Sequence, residues 1–373
     1  MKVLNSDVSW LELLYDLVLV AALILINESL LEKPFLGGIG MATLSLSALY
    51  VLWLLTALIN NRFPSERIDR RLLTVVQMLL LFIAAQSAVS ADGHLMRLAA
   101  LGAALLTVSA MYFLASRGAH GPAPRTGRAA LVVLAAAGAC FVGIVFTGWA
   151  SSAILVAALV IALIPLKLVH AGGMNAAYPI RGEHLRDRLG QLMLIAFGEG
   201  FITMVFALGL GDSTPNYLFL VLTFATIFAL GATYFDSVIA NGYPTTGRRW
   251  IGSLAAHLLV VMGAVAALDG LSMLVASEPI DLVADAGLRL ALAFSYCMAG
   301  YAVIGWANSG RFRRTEGLHA IAAAVLLAVG VLVAVTGWLS VGTMGVLCVS
   351  IIGIDSLLTV RIMGRERGPS GAS

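Results

Sequence analysis

The stretch LVVLAAAGACFVGIVFT, from Leu131 to Thr147, carries no charge and is apolar on every face of a helix. Similar runs recur from Leu11 to Met363, and about 20 residues at about 1.5 Å each cross a hydrocarbon core of roughly 30 Å. A membrane β-barrel would instead show short segments that alternate with period two. The repeated runs therefore predict an all-α polytopic membrane protein.

The composition also indicates a membrane protein. Of the 373 residues, 60% are hydrophobic and 12% are charged, whereas soluble domains carry about 25% charged residues. The three cysteines, Cys140, Cys297 and Cys348, lie in apolar runs, so no disulfide framework is predicted. The basic residues are scattered over short loops, which argues against a nucleic-acid partner. Membrane lipids are the expected partners, and the oligomeric state is left open.

The charged breaks between apolar runs predict twelve transmembrane helices in a single membrane domain, residues 1–373. The predicted spans are 10–30, 36–60, 72–91, 95–116, 129–148, 151–172, 188–210, 216–240, 250–276, 284–307, 317–340 and 341–363. Two pairs of spans meet with almost no loop between them, near Gly148 and near Gly342. Because glycine permits sharp turns, we predict that these two residues make them.

Lys and Arg are concentrated in alternate loops. With the N-terminus in the cytoplasm, most of the 23 basic residues fall on the cytoplasmic side, as the positive-inside rule requires. These are Lys2, Arg62, Arg67, Arg70, Arg71, Arg117, Arg125, Arg128, Arg181, Arg186, Arg188, Arg248, Arg249, Arg311, Arg313, Arg314, Arg361, Arg365 and Arg367. An even number of spans with both termini in the cytoplasm is therefore expected.

Two pairs of segments indicate a 6+6 duplication, with halves 1–180 and 181–373. Residues 59–65 (INNRFPS) echo 239–245 (IANGYPT), and residues 12–21 (ELLYDLVLVA) echo 187–196 (DRLGQLMLIA). Six helices per half would make the two repeats parallel, related by an axis along the membrane normal. Coincidence is the alternative, because short echoes are common in apolar sequence.

Several motifs resemble those of the bacterial low temperature requirement protein A family. They are ELLYDLVLV at 12–20, NRF at 61–63, RRL at 70–72, QM at 77–78, RLGQL at 188–192, GE at 198–199, YFD at 234–236 and His257. The resemblance implies a multi-pass protein of the bacterial cytoplasmic (inner) membrane, linked by the family's name to growth in the cold. It implies no biochemical activity.

Glu12 and Asp16 form the first pair of candidate functional residues. Because they are four residues apart, they project from one face of a helix. Two such carboxylates share a proton, or else a cytoplasmic arginine such as Arg62 or Arg188 holds both of them ionised. The alternative without a function is the polar end of a helix at the membrane interface.

Glu199 is the acid predicted to lie deepest in the membrane, near the middle of span seven. Its neighbours Gly198 and Gly200 permit either close helix packing or a local break that exposes backbone carbonyls. An acid at this depth marks a site or pathway by default. The structural alternative is a protonated Glu199 that hydrogen-bonds a neighbouring helix.

Four further residues, Tyr234, Asp236, His257 and Asp355, are predicted in the cytoplasmic halves of spans eight, nine and twelve. Their depths resemble that of Asp16, so one inward-open polar cavity is a candidate site. Histidine changes charge near neutral pH. A lone His257 on an apolar face is, however, more often a packing residue with satisfied hydrogen bonds.

These acids favour a proton-linked secondary transporter or permease, with an unknown small-molecule or lipid substrate. We find no metalloprotease, nucleophile-elbow or nucleotide-binding motif, and no metal, cofactor or catalytic residue is assigned. One alternative is an intramembrane enzyme acting on a lipid or isoprenoid-like substrate, with Asp16, Asp236 and His257 as acid–base groups. The other is a structural or regulatory membrane protein.

Overall fold

The computed structural model of the chain describes residues 9–31, 35–65, 67–90, 93–117, 123–170, 179–210, 215–239, 247–275, 286–309 and 313–366. The chain divides into two compact units. Unit 1 comprises Met1–Arg188 and unit 2 comprises Leu189–Ser373.

The described residues form twelve α-helices and no strand. They are α1 (Trp10–Leu31), α2 (Phe35–Arg62), α3 (Ile68–Val89), α4 (His94–Ser116), α5 (Ala123–Gly143), α6 (Gly148–Pro165), α7 (Gly182–Leu210), α8 (Tyr217–Thr233), α9 (Gly247–Val275), α10 (Ala286–Ser309), α11 (Arg314–Thr336) and α12 (Val341–Glu366).

The all-α polytopic membrane fold is confirmed. Over the residues whose side chains are described, eleven helices are long and apolar enough to cross a membrane. The remaining helix, α1, has 22 residues, and its described side chains end at Ile26. Most helix boundaries lie within a few residues of the predicted spans, because the charged breaks mark where the apolar runs end.

The two tight turns follow the prediction only in part. Gly148 has φ +61° at the start of α6, as a glycine turn requires. At the second turn the prediction was wrong, because Gly337 has φ +62° and ends α11 in the left-handed conformation. Gly342 lies inside α12, where an added Cβ would come within 3.4 Å of the Phe219 ring.

The helices pack in a similar order within each unit. In unit 1, α3 packs on α4, α4 on α5, α5 on α6, and α2 on α6. In unit 2, α9 packs on α10, α10 on α11, α11 on α12, and α8 on α12. A six-helix repeat would produce this recurrence, but the duplication, its halves and the cytoplasmic orientation of the termini stay predictions.

Two α-helices continue into a π-helical turn. Leu166–His170 follows Pro165 at the end of α6, where the missing proline N–H interrupts the helical hydrogen-bond ladder. Tyr234–Val238 follows α8, and the amide of Ile239 donates to the carbonyl of Tyr234 at 3.1 Å. Since π-turns are frequent at functional sites, the second turn directs attention to Tyr234 and Asp236.

Glycines bring α9 and α10 into close contact in unit 2. A Cβ added at Gly263 would lie 2.5 Å from the carbonyl oxygen of Ala293 and 2.8 Å from the amide nitrogen of Cys297. A Cβ added at Gly300 of α10 would collide with Val260 and with the carbonyl of Ala256. Small residues at such crossings permit the backbones of membrane helices to approach closely.

We therefore expect Gly263→Ala to lower the free energy of unfolding by about 1–3 kcal/mol, the usual cost of overpacking. Gly252→Ala is the matched control in the same helix, because a Cβ there meets nothing within 4 Å. Alanine also favours helix over glycine, so the control should unfold no earlier than the unchanged protein. Thermal unfolding in detergent, followed by circular dichroism, measures both. Equal unfolding temperatures for the two variants would contradict the close crossing.

Candidate functional site

In unit 1 the acids of α1 meet the buried Arg188 of α7. Arg188 Nη2 lies 2.5 Å from Asp16 Oδ1, and Nη1 lies 2.9 Å from Glu12 Oε1. The side chains of Arg188 and Asp16 are 1% and 0% exposed. Buried charges are tolerated only when they are paired, and one guanidinium here contacts both carboxylates while offsetting one of their two charges. The geometry thus favours the arginine-held alternative over a proton shared between the acids.

Trp53 of α2 completes the surroundings of Asp16. Its Nε1 donates a hydrogen bond to Asp16 Oδ1 at 2.6 Å, and the Arg188 guanidinium carbon lies 5.5 Å from the centre of its ring. The ring therefore contributes a cation–π contact as well as a hydrogen bond. Oδ2 of Asp16 is buried without a hydrogen-bond partner among the residues that the structure describes.

His184 lies one turn before Arg188 and reaches the other acid. Its Nε2 is 3.5 Å from Glu12 Oε2, and its Nδ1 is 3.2 Å from Asn61 Nδ2. The Asn61 amide is held by the backbone of Arg181, whose N–H donates to Oδ1 and whose carbonyl accepts from Nδ2, both at 2.9 Å. This fixes Asn61 Nδ2 as a donor, so Nδ1 of His184 accepts and Nε2 carries the proton toward Glu12. We call Glu12, Asp16, Trp53, His184 and Arg188 the unit 1 ion cluster.

Unit 2 contains a second buried group around His319 and Asp355. His319 Nδ1 of α11 lies 2.7 Å from Asp355 Oδ2 of α12, and both side chains are 3% exposed. Because a carboxylate only accepts, Nδ1 donates in this bond. Oδ1 of Asp355 is buried and has no hydrogen-bond partner within the described residues.

Two tyrosines connect this pair to His257. The hydroxyl of Tyr234 lies 3.0 Å from His257 Nε2, and His257 Nδ1 lies 2.6 Å from the carbonyl oxygen of Ser253. The Tyr234 and Tyr301 rings are 6.1 Å apart, and the Tyr301 and His319 rings are 5.9 Å apart. Aromatic contacts thus join the two pairs. We call Tyr234, His257, Tyr301, His319 and Asp355 the unit 2 polar column.

Glu199 is buried in α7, which stays α-helical through both flanking glycines. A Cβ added at Gly200 would lie 2.8 Å from Leu268 of α9 and 3.1 Å from Ile227 of α8, whereas one at Gly198 would meet nothing within 4 Å. Of the two predicted alternatives, the structure therefore has close packing and no helix break. One turn on, the Thr203 and Ser272 hydroxyls lie 3.1 Å apart.

The remaining predicted residue, Asp236, lies in the π-turn after α8 with an exposed side chain. It differs in this from His257 and Asp355, which are buried within the same unit. The single inward-open cavity predicted for Asp16, Asp236, His257 and Asp355 stays a prediction. Over the described residues, no three His, Cys, Asp or Glu side chains are grouped as a metal site requires.

The sequence interpretation did not include Trp53, His184, Tyr301 and His319. Aromatic residues in apolar runs look like packing residues, and the two histidines lie near predicted loops. The acids were found because a carboxylate within an apolar run is conspicuous. Local spacing in the sequence cannot predict the contacts of Trp53 and His319, because each residue lies 36 or more positions from the acid that it contacts.

Replacing Arg188 by methionine should destabilise the protein by about 3–5 kcal/mol, because it leaves buried acids without their cation. The double variant Asp16→Asn, Arg188→Met should recover part of this loss, since it also removes one uncompensated charge. Arg186→Met is the control, because Arg186 is 36% exposed and lies 3.8 Å from Asp187. Thermal unfolding by fluorescence-detected size exclusion gives all three values. A double variant no more stable than Arg188→Met would contradict the pairing.

Comparison with known proteins gives the same family that the motifs in α1, α2 and α7 resemble. The sequence model described as bacterial low temperature requirement A protein (LtrA) matches residues 7–351, which include nearly all of both units. No curated protein matches the chain. The match covers well over half of the sequence, and the chain belongs to the bacterial low temperature requirement A protein family.

Proposed function

We propose that the protein is a proton-linked secondary transporter or permease of the bacterial cytoplasmic membrane. The observation that carries the proposal is the buried His319–Asp355 pair between two apolar helices of unit 2. Ionisable groups within membrane spans are costly, and they commonly mark substrate or proton pathways. A histidine–carboxylate pair is suited to this use because the imidazole changes charge near neutral pH.

The proton-binding step is assigned to this pair. Asp355 accepts a hydrogen bond from His319 through Oδ2, while Oδ1 has no partner among the described residues. An incoming proton therefore has a buried acceptor atom beside a group that is already hydrogen-bonded. Protonation removes the charge of the carboxylate and weakens its attraction for His319, so the pair has two states that differ in charge.

The rest of the polar column positions the pair. The hydroxyl of Tyr301 donates to the carbonyl of Leu230 at 2.9 Å, which holds its ring against His319. The Tyr234 ring packs against that of Tyr301, and its hydroxyl meets His257. Protonation of Asp355, which alters its hydrogen bond with His319, would therefore reach α8 and α9 through these ring contacts. Secondary transporters require such a link between proton binding and helix movement.

The unit 1 ion cluster has a different part in this proposal. Its arginine contacts both carboxylates, so each acid already has a cationic partner in the state described here. Glu12 and Asp16 act as coupling residues only if Arg188 moves away from them. Glu199 remains a coupling candidate in unit 2 because it is buried within a span, and Asp236 is the weakest candidate because it is exposed.

Transport is tested with the full chain in liposomes that contain a pH-sensitive dye. Amino acids, sugars, nucleosides, organic acids, inorganic phosphate and polyamines are added one class at a time. We expect one class to drive proton flux, and we expect Asp355→Asn and His319→Gln to reduce that flux by about tenfold or more, since each removes the proton-binding pair. Asp69→Asn is the matched control, because Asp69 is outside the polar column and pairs with Arg67 at 2.7 Å.

No proton flux with any class, or full flux in Asp355→Asn, would overturn the proposal. A lipid-modifying activity that depends on His257 would instead support the enzyme alternative. Absence of both proton flux and lipid-modifying activity in the folded, unchanged protein would support a structural or regulatory role.

A further inference from the structure

Unit 1 contains an open cavity of about 200 Å³ beside the ion cluster. It is lined by residues near the start of α1, the end of α2, the start of α3 and the segment before α7. The side chains that matter here are Glu12, Tyr15, Arg70, Arg71 and Arg181. Because one water occupies about 30 Å³ in the liquid, the cavity has room for a small ion with some of its hydration.

Arg70 is the distinctive residue of this cavity. It is 6% exposed, and its Nη1 donates to the backbone carbonyl of Phe63. Its Nε and Nη2 are buried without a hydrogen-bond partner in the described part of the chain. A buried guanidinium that has donors to spare is costly unless a ligand accepts from them. This second observation, independent of the cavity itself, points to an acceptor with negative charge.

The charges around the cavity favour an anion. Arg71 and Arg181 line it with exposed side chains. Glu12 also lines it, but its carboxylate oxygens lie 2.9 Å from Arg188 and 3.5 Å from His184. The carboxylate of Glu12 thus already has partners in the ion cluster, and the three arginines that line the cavity outnumber this one acid.

We propose that this cavity binds a phosphate-type oxyanion, with Arg70 as its principal ligand. A guanidinium presents N–H groups in a planar fork that matches two oxygens of a phosphate. Arg71 and Arg181 attract the anion to the opening. A free phosphate compound and the headgroup of an anionic phospholipid offer the same chemistry. The site is independent of the proposed transport, because binding at equilibrium requires no proton gradient.

The test uses the full chain in nanodiscs of phosphatidylcholine, titrated with radiolabelled inorganic phosphate at constant ionic strength. We expect saturable binding that Arg70→Gln weakens by about tenfold or more, because the variant loses a charge-assisted hydrogen bond. Arg67→Gln is the matched control three residues away, since Arg67 is 72% exposed and pairs with Asp69. This control should bind phosphate as tightly as the unchanged protein.

A second arm separates the two sources of phosphate. Detergent-purified protein is mixed with phosphatidylglycerol and phosphatidylcholine. Native mass spectrometry then identifies which lipid stays bound to the protein from the mass of the complex. Retention of phosphatidylglycerol that Arg70→Gln abolishes, without binding of free phosphate, assigns the site to a headgroup. Binding of neither probe, or binding of both that is indifferent to Arg70, overturns the proposal.

A folding control keeps the result interpretable. Arg70→Lys retains the charge but loses the fork, and it should bind phosphate more weakly than arginine and more tightly than glutamine. Unfolding temperatures without phosphate are measured for all variants. If Arg70→Gln does not fold, Arg71→Gln takes its place, with an expected loss of about threefold because its exposed charge acts mainly through attraction. Unchanged binding in that variant and in Arg70→Lys would refute the site.

Discussion

An ionised group inside an apolar helix bundle must have a partner, and this constraint governs the structure around Arg188. In unit 1 its guanidinium contacts Asp16 and Glu12 at 2.5 and 2.9 Å, and Trp53 donates to the same oxygen of Asp16. Removing one partner of such a group leaves an unpaired charge in the interior, which lowers the free energy of unfolding far more than the loss of an average contact. The positions of α1, α2 and α7 within unit 1 are therefore tied to one another by this arginine.

Unit 2 meets the same constraint in a different way. In the proposed function, Asp355 of its buried pair takes up a proton under physiological conditions, so that the carboxylate loses its charge beside His319. The arginine of unit 1 stays charged under those conditions. This difference is the physical reason for assigning anchoring to the ion cluster and proton binding to the polar column. The close contact of α9 and α10 at Gly263 and Gly300 brings together the helices that carry His257 and Tyr301 of the column.

The helices were predictable from sequence, because a hydrocarbon core demands long apolar runs and charged residues interrupt them. The turn at Gly148 was predictable because glycine permits a sharp turn within an apolar run too long for one span, whereas the second turn was assigned to Gly342 in place of Gly337. Both glycines are close to the charge-free boundary between α11 and α12. No break in hydropathy indicates which of them takes positive φ.

The candidate site was predictable only where a residue is rare in its surroundings. Acids in apolar runs indicated Asp16, Glu199 and Asp355, and the spacing of Glu12 and Asp16 placed them on one face. Their partners required tertiary structure, since Trp53 and His319 come from other helices. For the cation that faces Glu12 and Asp16, the sequence left Arg62 and Arg188 as alternatives. Asp236 is exposed although Tyr234 of the same π-turn is buried, and a sequence pattern does not show which residue of such a turn faces outward.

The central claim is that Asp355 and His319 bind the proton that is coupled to transport. Infrared difference spectroscopy of the full chain in lipid tests it directly, with spectra recorded as the pH is lowered from about 8 to about 5, the range in which histidine changes charge. The account predicts a protonated-carboxyl band that grows as the pH falls and that Asp355→Asn removes. Identical difference spectra for the unchanged protein and for Asp355→Asn would contradict it.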